Sequence, residues 1–283
     1  MAQTSILTDS SVQFTKHSMN GRNLIEVVPF HVQEMGSEQD VGNKILQYPV
    51  SSTQKPLPVV EPPTVAEYAQ AIRNLGQYSQ DIIALSVSSQ LSEAYQNLHE
   101  AVKQTQGRAR VHEVDTQTIG LGLGYLVQQA AELANRGVSA DQIEYLMRGQ
   151  VPHIYAQFCL PCLTYLTRPA LIGYPQAVVG EMLNILPVFS FEEGKLISIE
   201  KVKNYRALLD YFQEFLDEFN ELDAIAVMQS VPSLLQDARA LKEHANSNFP
   251  RVPFSEHSLN PVIAAMFGPR SVGIFAMENP GTI

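Results

Sequence analysis

The sequence predicts an α/β fold: a parallel sheet domain with flanking helices, followed by a second α+β domain. Short apolar runs alternate with helical patterns through the first half, which is the order of a parallel sheet with right-handed crossovers. After about residue 158, a hairpin pattern and longer amphipathic segments replace this alternation. We therefore expect two domains, residues 1–158 and 159–283.

Capping-box spacings and the positions of glycines help to place the helices of the first half. Thr64 and Glu67 have the spacing of a capping box at a helix start, and Ser139 with Gln142 repeats it. The glycines of Gly120-Leu-Gly122-Leu-Gly124 do not fit a dinucleotide fingerprint, and close helix packing explains them better. Strands are predicted at 5–8, 24–32, 82–87 and 110–114, and helices at 64–76, 92–105, 120–134 and 139–148, with a loop over 33–58.

The second half combines a hairpin with amphipathic helices. Residues 185–191 and 196–200 form two apolar runs around a turn that contains Gly194, which predicts a β-hairpin. Pro232 fits the first turn of a helix. Further elements are a helix over 208–219, a strand over 224–229, and short strands near Val252 and Val262.

Composition narrows the class of partner. Of the 283 residues 45% are hydrophobic, and the formal net charge is −10. Because the protein is acidic, its net negative charge would repel nucleic acid and anionic membrane surfaces. Neither is therefore expected as its main partner. The sequence contains no apolar run of about 18 residues that could span a bilayer, and its first residues do not resemble a signal peptide. We expect a cytoplasmic protein that is not membrane-spanning.

The two cysteines, Cys159 and Cys162, have the spacing of a redox dithiol. They lie within an apolar run, where cysteine behaves as a small hydrophobe, and a zinc site would need two more ligands. We interpret them as core residues and expect neither a metal nor a cofactor.

The most informative stretch runs from Asp81 to Tyr95. A buried strand leads into the turn Ser88-Ser89-Gln90-Leu91-Ser92 and then into a helix. Ligands of open α/β sheets bind at the carboxyl edge of the strands, so the turn is expected to present hydroxyls and free backbone N–H groups there. Alternatively, these serines only cap the helix and close the turn.

Several stretches, in order, resemble the DegV family of fatty-acid-binding proteins. They span nearly the whole chain: Ile6-Leu-Thr-Asp9-Ser10, Val27-Val-Pro29, the serine turn up to Tyr95, Val114-Asp115-Thr116 with Gly120-Leu-Gly122, Leu163-x-Tyr165-Leu166, and Gly268-Pro269-x-x-x-Gly273.

The resemblance implies a carrier and not an enzyme. A long-chain, palmitate-like fatty acid would lie in an apolar tunnel between the two domains, and a fatty acid kinase would phosphorylate its carboxylate. Burying the chain contributes about 0.8 kcal/mol per methylene. We expect the tunnel to involve Met182, Leu183, Ile185, Val262, Ile263 and Phe267.

Carrying the family's ligand-binding positions onto this sequence exposes departures. Ser92 is kept, with Ser89 beside it, whereas the family's Thr-Ser-x-Pro-Ser segment falls on residues 60–64 and keeps a hydroxyl only at its end. Asp9, Ser10, Asp115 and Thr116 would line or support the cleft. The family's histidine falls on Met266 and its arginine on Leu171, and Arg270 is the candidate for a replacement cation. The resulting ligand-binding candidates are Ser92, Ser89, Thr64, Val60, Glu61, Met266 and Arg270.

Two other functions stay open at this point. A divergent relative could act as an interaction protein that binds no fatty acid. A hydrolase could use one of the turn serines with a histidine and Asp115, but no Gly-x-Ser-x-Gly elbow surrounds these serines.

Overall fold

Two separate sheets organise the chain, one in each of two units of the computed structural model. The structure describes residues 4–16, 18–33, 48–51, 56–105, 107, 109–168, 171–230, 233–235 and 238–278. The first unit comprises residues 1–31, 61–153 and 193–195, and the second comprises residues 32–60, 154–192 and 196–283. This division differs from the predicted domains because residues 154–158 belong to a strand of the second sheet, and residues 32–60 also group with that unit.

The elements follow one another in this order: β1 (Thr4–Asp9), β2 (Ile25–Val28), β3 (His31–Gln33), β4 (Val59–Glu61), α1 (Val65–Leu75), β5 (Asp81–Ser86), α2 (Ala94–Gln104), β6 (Arg110–Asp115), α3 (Leu121–Asn135), α4 (Ala140–Gln150), β7 (Ile154–Cys159), α5 (Tyr174–Met182), β8 (Leu186–Glu192), β9 (Lys195–Val202), α6 (Tyr205–Asp217), β10 (Leu222–Gln229), α7 (Ala238–Asn248), β11 (Phe254–Ser258), α8 (Pro261–Phe267) and β12 (Val272–Glu278).

The first unit contains the predicted parallel sheet. Its strands lie in the order β2-β1-β5-β6, and each neighbouring pair is parallel, with Ile6 opposite Ile25 on one side and Ile83 on the other. Leu7, Ile82 and Ala84 pack with buried residues of α1 and α2. Helix α3 contacts β1 and β5, and α4 contacts β5 and β6. The α/β class and the parallel pairing of β1 with β5 are therefore confirmed.

Of the two capping boxes predicted in this unit, one is present. The Thr64–Glu67 capping box is present, because each residue's side chain bonds the backbone N–H of the other. The second predicted box is wrong, since Ser139 is the N-cap of α4 but its side chain makes no capping bond. A Cβ at Gly124 would lie 1.8 Å from the carbonyl oxygen of Gln13, which confirms close packing as the reason for that glycine.

The second unit contains a six-stranded mixed sheet in the order β11-β10-β12-β7-β8-β9. The β8–β9 hairpin of this sheet turns through Glu193 and Gly194, which group with the first unit. Their φ angles are 49° and 81°, the positive pair that a two-residue type I′ turn requires. The hairpin prediction is confirmed. Helices α6 and α7 pack on this sheet through Phe212 and Leu241, among others.

Val262 was predicted in a strand but lies in α8, because Asn260 caps that helix by accepting a hydrogen bond from Val262 N and Pro261 occupies its first turn. Pro232, predicted to begin a helix, lies outside the described residues, and α7 begins at Ala238.

Both cysteines are free and buried. Burial raises the pKa of Cys159 and of Cys162 to about 12, so both thiols are protonated at neutral pH and unsuited to redox exchange. Within the described ranges, no three His, Cys, Asp or Glu residues are grouped to hold a metal ion, and no helix is long and apolar enough to cross a membrane.

Candidate functional site

Polar side chains gather where the parallel strands of the first unit end. Strand β1 ends at Asp9, β5 at Ser86 and β6 at Asp115. Because the strands are parallel, these residues share the carboxyl edge of the sheet, where ligands of this fold class bind. The serine turn, defined here as residues 87–92, follows β5 at this edge.

Asp9 fixes the beginning of the serine turn from a fully buried position. Its Oδ1 accepts hydrogen bonds from Ser11 N (3.1 Å) and Ser11 Oγ (2.5 Å), and its Oδ2 accepts from Ser86 Oγ (3.1 Å) and Val87 N (2.9 Å). Burial raises the pKa of Asp9, although these four hydrogen bonds act to lower it. A single carboxylate therefore ties the end of β1 to the end of β5.

Asp115 holds the middle of the turn from the neighbouring strand. Its Oδ1 accepts hydrogen bonds from Ser89 N at 3.2 Å and Gln117 N at 3.1 Å. The hydroxyl of Thr116 donates to the Ser86 carbonyl at 2.8 Å. Asp9, Asp115 and Thr116 thus support the turn through side-chain bonds to its backbone or to the strand before it; their role at a ligand cleft stays a prediction.

Every backbone N–H from Val87 to Ser92 already donates a hydrogen bond. Val87 N and Ser89 N donate to the two aspartates, and Ser88 N donates to the Thr118 carbonyl. The last three donate to Ser88 itself: Gln90 N to its hydroxyl, and Leu91 N and Ser92 N to its carbonyl. The prediction of free backbone N–H groups in this turn is therefore wrong.

The serine hydroxyls of the turn fall into two groups. Ser88 Oγ is buried and donates to the Gly194 carbonyl at 2.7 Å, so it is committed to the fold. Ser92 Oγ accepts a hydrogen bond from Ala94 N at 3.2 Å at the start of α2, an arrangement that leaves its own proton to donate. Ser89 is half-buried, and its hydroxyl has no partner among the described residues. Ser89 and Ser92 are therefore the hydroxyls that can donate to a ligand here.

The other candidates from the sequence lie outside the serine turn in the chain and differ in exposure. Thr64 Oγ1 donates to Glu67 Oε2 at 2.7 Å and accepts from Glu67 N, so it serves as the cap of α1, and Glu61 is exposed. Val60 and Met266 are half-buried and Arg270 is exposed, all three in the second unit.

One buried hydroxyl near Asp9 was missed from the sequence. Tyr68 is 1% exposed, and its hydroxyl interacts with Ser86 and with the carboxylate of Asp9. Burial, and then the negative charge of Asp9, raise its pKa well above the ordinary value. Its position on the apolar face of α1 resembles that of any core aromatic, so no sequence signal could have singled it out.

The residues expected to border an apolar tunnel differ in exposure. Ile263 and Phe267 are buried, whereas Met182 and Leu183 are 76% and 66% exposed. Phe158 packs edge-on against Phe267, with ring centroids 5.7 Å apart. The tunnel itself stays a prediction.

The chain was compared with known proteins and families. The family model described as "Uncharacterised protein, DegV family" matches residues 3–279. The chain belongs to the DegV family. A DegV domain-containing protein of Staphylococcus aureus (strain COL) is 23% identical over 291 residues, covering 98% of this chain and 100% of the relative.

Solved DegV structures match the fold over its full length. A Thermus thermophilus protein, described by its fatty acid binding, has a TM-score of 0.80 at 24% identity and covers 98% of this chain and 100% of its own. The Fatty Acid Kinase (Fak) B3 protein of Streptococcus pneumoniae, loaded with linoleic acid, has a TM-score of 0.84 at 15% identity, covering 99% and 100%.

Proposed function

We propose that this DegV protein is a carrier that binds one long-chain fatty acid and presents it to a fatty acid kinase. The observation that carries the proposal is the full-length match to structures described as binding fatty acids, one of them a Fatty Acid Kinase B protein. DegV relatives are described as binding proteins and not as catalysts.

Ser92 and Ser89 would donate to the fatty-acid carboxylate. A carboxylate taken out of water stays charged only when several donors compensate it. Because the amides of the turn are already used, the hydroxyls are its available donors. The assignment of Arg270 to the same carboxylate, with Val60, Glu61, Thr64 and Met266 as neighbouring positions, remains a proposal.

A hydrolase is the weaker candidate. Ser88 Oγ donates to a carbonyl, and Ser92 Oγ accepts from a helix N–H. Asp115 binds two backbone N–H groups through one oxygen. These contacts build a turn and do not orient a serine toward a histidine base, as nucleophilic catalysis requires.

Native mass spectrometry of the purified protein tests the proposal directly, because a long-chain acid is expected to co-purify. Displacement of a fluorescent fatty acid by palmitate then gives affinities. Ser92→Ala should weaken palmitate binding about tenfold, or about 1.4 kcal/mol, through loss of a hydrogen bond to a charged group.

Gln90→Ala is the matched control, because Gln90 is exposed in the same turn and its backbone bond is kept. It should bind palmitate like the wild type. If no acid co-purifies and palmitate does not bind at all, the carrier proposal fails in favour of an interaction protein.

A further inference from the structure

The second unit contains a pocket of about 390 Å³, within the range of roughly 300–1,000 Å³ typical of small-molecule sites. Its lining includes the apolar residues Val50, Pro161 and Leu186 as well as charged and polar residues.

Two cations face this pocket. Lys203 and Arg270 are exposed, and neither forms an ion pair with any described residue. Glu181 is the one carboxylate in the lining, and its Oε1 accepts hydrogen bonds from Thr164 N (2.7 Å) and Thr164 Oγ1 (2.8 Å). The lining therefore carries a net charge of +1. The carboxylate of Glu181 already accepts two hydrogen bonds.

The neutral polar groups add donors and no further negative charge. Burial raises the pKa of Tyr205 to about 12, so its phenol keeps its proton at neutral pH. Cys162 is likewise neutral, because burial raises the pKa of its thiol to about 12. Asn204 uses its Oδ1 to accept from Ala207 N at 2.9 Å, which leaves its amide NH₂ to donate.

We propose that this pocket binds a small organic phosphate through Lys203 and Arg270. A phosphate monoester carries about −1.5 to −2 charge and three acceptor oxygens, which suits two cations with additional donors better than a carboxylate does. Its organic part would contact the apolar lining residues Val50, Pro161, Ile185 and Leu186.

Isothermal titration calorimetry of the full chain with inorganic phosphate and with phenyl phosphate tests the proposal. Both probes should bind saturably, and phenyl phosphate more tightly because its ring meets the apolar lining residues. Lys203→Gln and Arg270→Gln should each raise the Kd for phenyl phosphate about tenfold. Tyr205→Phe should raise it by a smaller factor.

Lys201→Gln is the matched control, because Lys201 is an exposed lysine of β9 that does not line the pocket. It should leave the Kd for phenyl phosphate unchanged, and Lys203→Gln should leave palmitate affinity unchanged. Dihexanoyl phosphatidic acid identifies the source of the phosphate: binding tighter than that of phenyl phosphate assigns it to a lipid, and weaker binding to a soluble metabolite.

Two results would overturn the proposal. One is the lack of saturable binding of either soluble probe at millimolar concentration. The other is an equal loss of affinity in Lys201→Gln and Lys203→Gln, because binding would then depend on general surface charge. Palmitate binding can succeed or fail in either case, so the carrier proposal is judged separately.

Discussion

Replacing Asp9 by asparagine should destabilise the first unit substantially. The carboxylate accepts two hydrogen bonds on each oxygen, and each oxygen serves one backbone N–H, from Ser11 or from Val87. Asparagine has only one side-chain oxygen, so its NH₂ group must take the place of the other. There it faces a backbone N–H, which is also a donor and cannot rotate away as a hydroxyl can. An unsatisfied buried donor costs about 1–3 kcal/mol, and the retained bonds lose their charge assistance. We expect a loss of about 3 kcal/mol.

Urea unfolding followed by far-UV circular dichroism measures this loss, and Asp115→Asn is its control. Asp115 accepts both of its hydrogen bonds through the single oxygen Oδ1, which asparagine retains. Its replacement should cost less than about 1 kcal/mol. Equal losses in the two variants would refute the reasoning from acceptor geometry.

The pH dependence of the Asp9→Asn variant follows from the raised pKa of Asp9. The folded protein binds this proton more tightly than the unfolded chain does. The contribution of Asp9 to stability therefore grows as the pH falls through the raised pKa, and it is complete below the ordinary value of 3.8. Since asparagine does not titrate, the stability difference between wild type and variant should widen in acid. A narrowing difference would contradict the direction of the shift.

Three further outcomes are expected. His112→Ala should lower the free energy of unfolding by about 2–3 kcal/mol, because this buried imidazole lies between the carboxylates of Asp81 and Glu144. His99→Ala is its control and should cost under about 1 kcal/mol, because it removes only the more exposed pair of His99 with Glu113. In thermal melts, Gly124→Ala should destabilise by about 2–3 kcal/mol, whereas Gly149→Ala, with open space around it, should be neutral or stabilising by up to about 1 kcal/mol. The two buried thiols should react with a thiol reagent only after denaturation.

The elements that sequence predicted well are those with a strong local signal. The buried run at 82–87 gave a central parallel strand, and the Thr64–Glu67 spacing gave a real capping box. Val262 was misplaced because α8 has only seven residues, too few to show a helical period. Its cap, Asn260 followed by Pro261, was the usable signal.

The position of the serine turn at the carboxyl edge of the sheet was predictable from the sequence, but its hydrogen bonds were not. The acceptors that occupy Val87 N and Ser89 N lie 78 and 26 residues away in the chain, and no local pattern reports such pairings. The residues that line the pocket of the second unit come from several separate elements. For the same reason, the sequence could not show that they lie together.

The closed backbone of the serine turn has a consequence for the thermodynamics of ligand capture. Its six amides are bonded before any ligand arrives, so the conformational entropy of ordering this loop is lost during folding and not during binding. A ligand then meets a rigid frame, and only the rotation of one or two hydroxyls remains to be frozen. A ligand that bound at this edge would therefore meet a preorganised backbone.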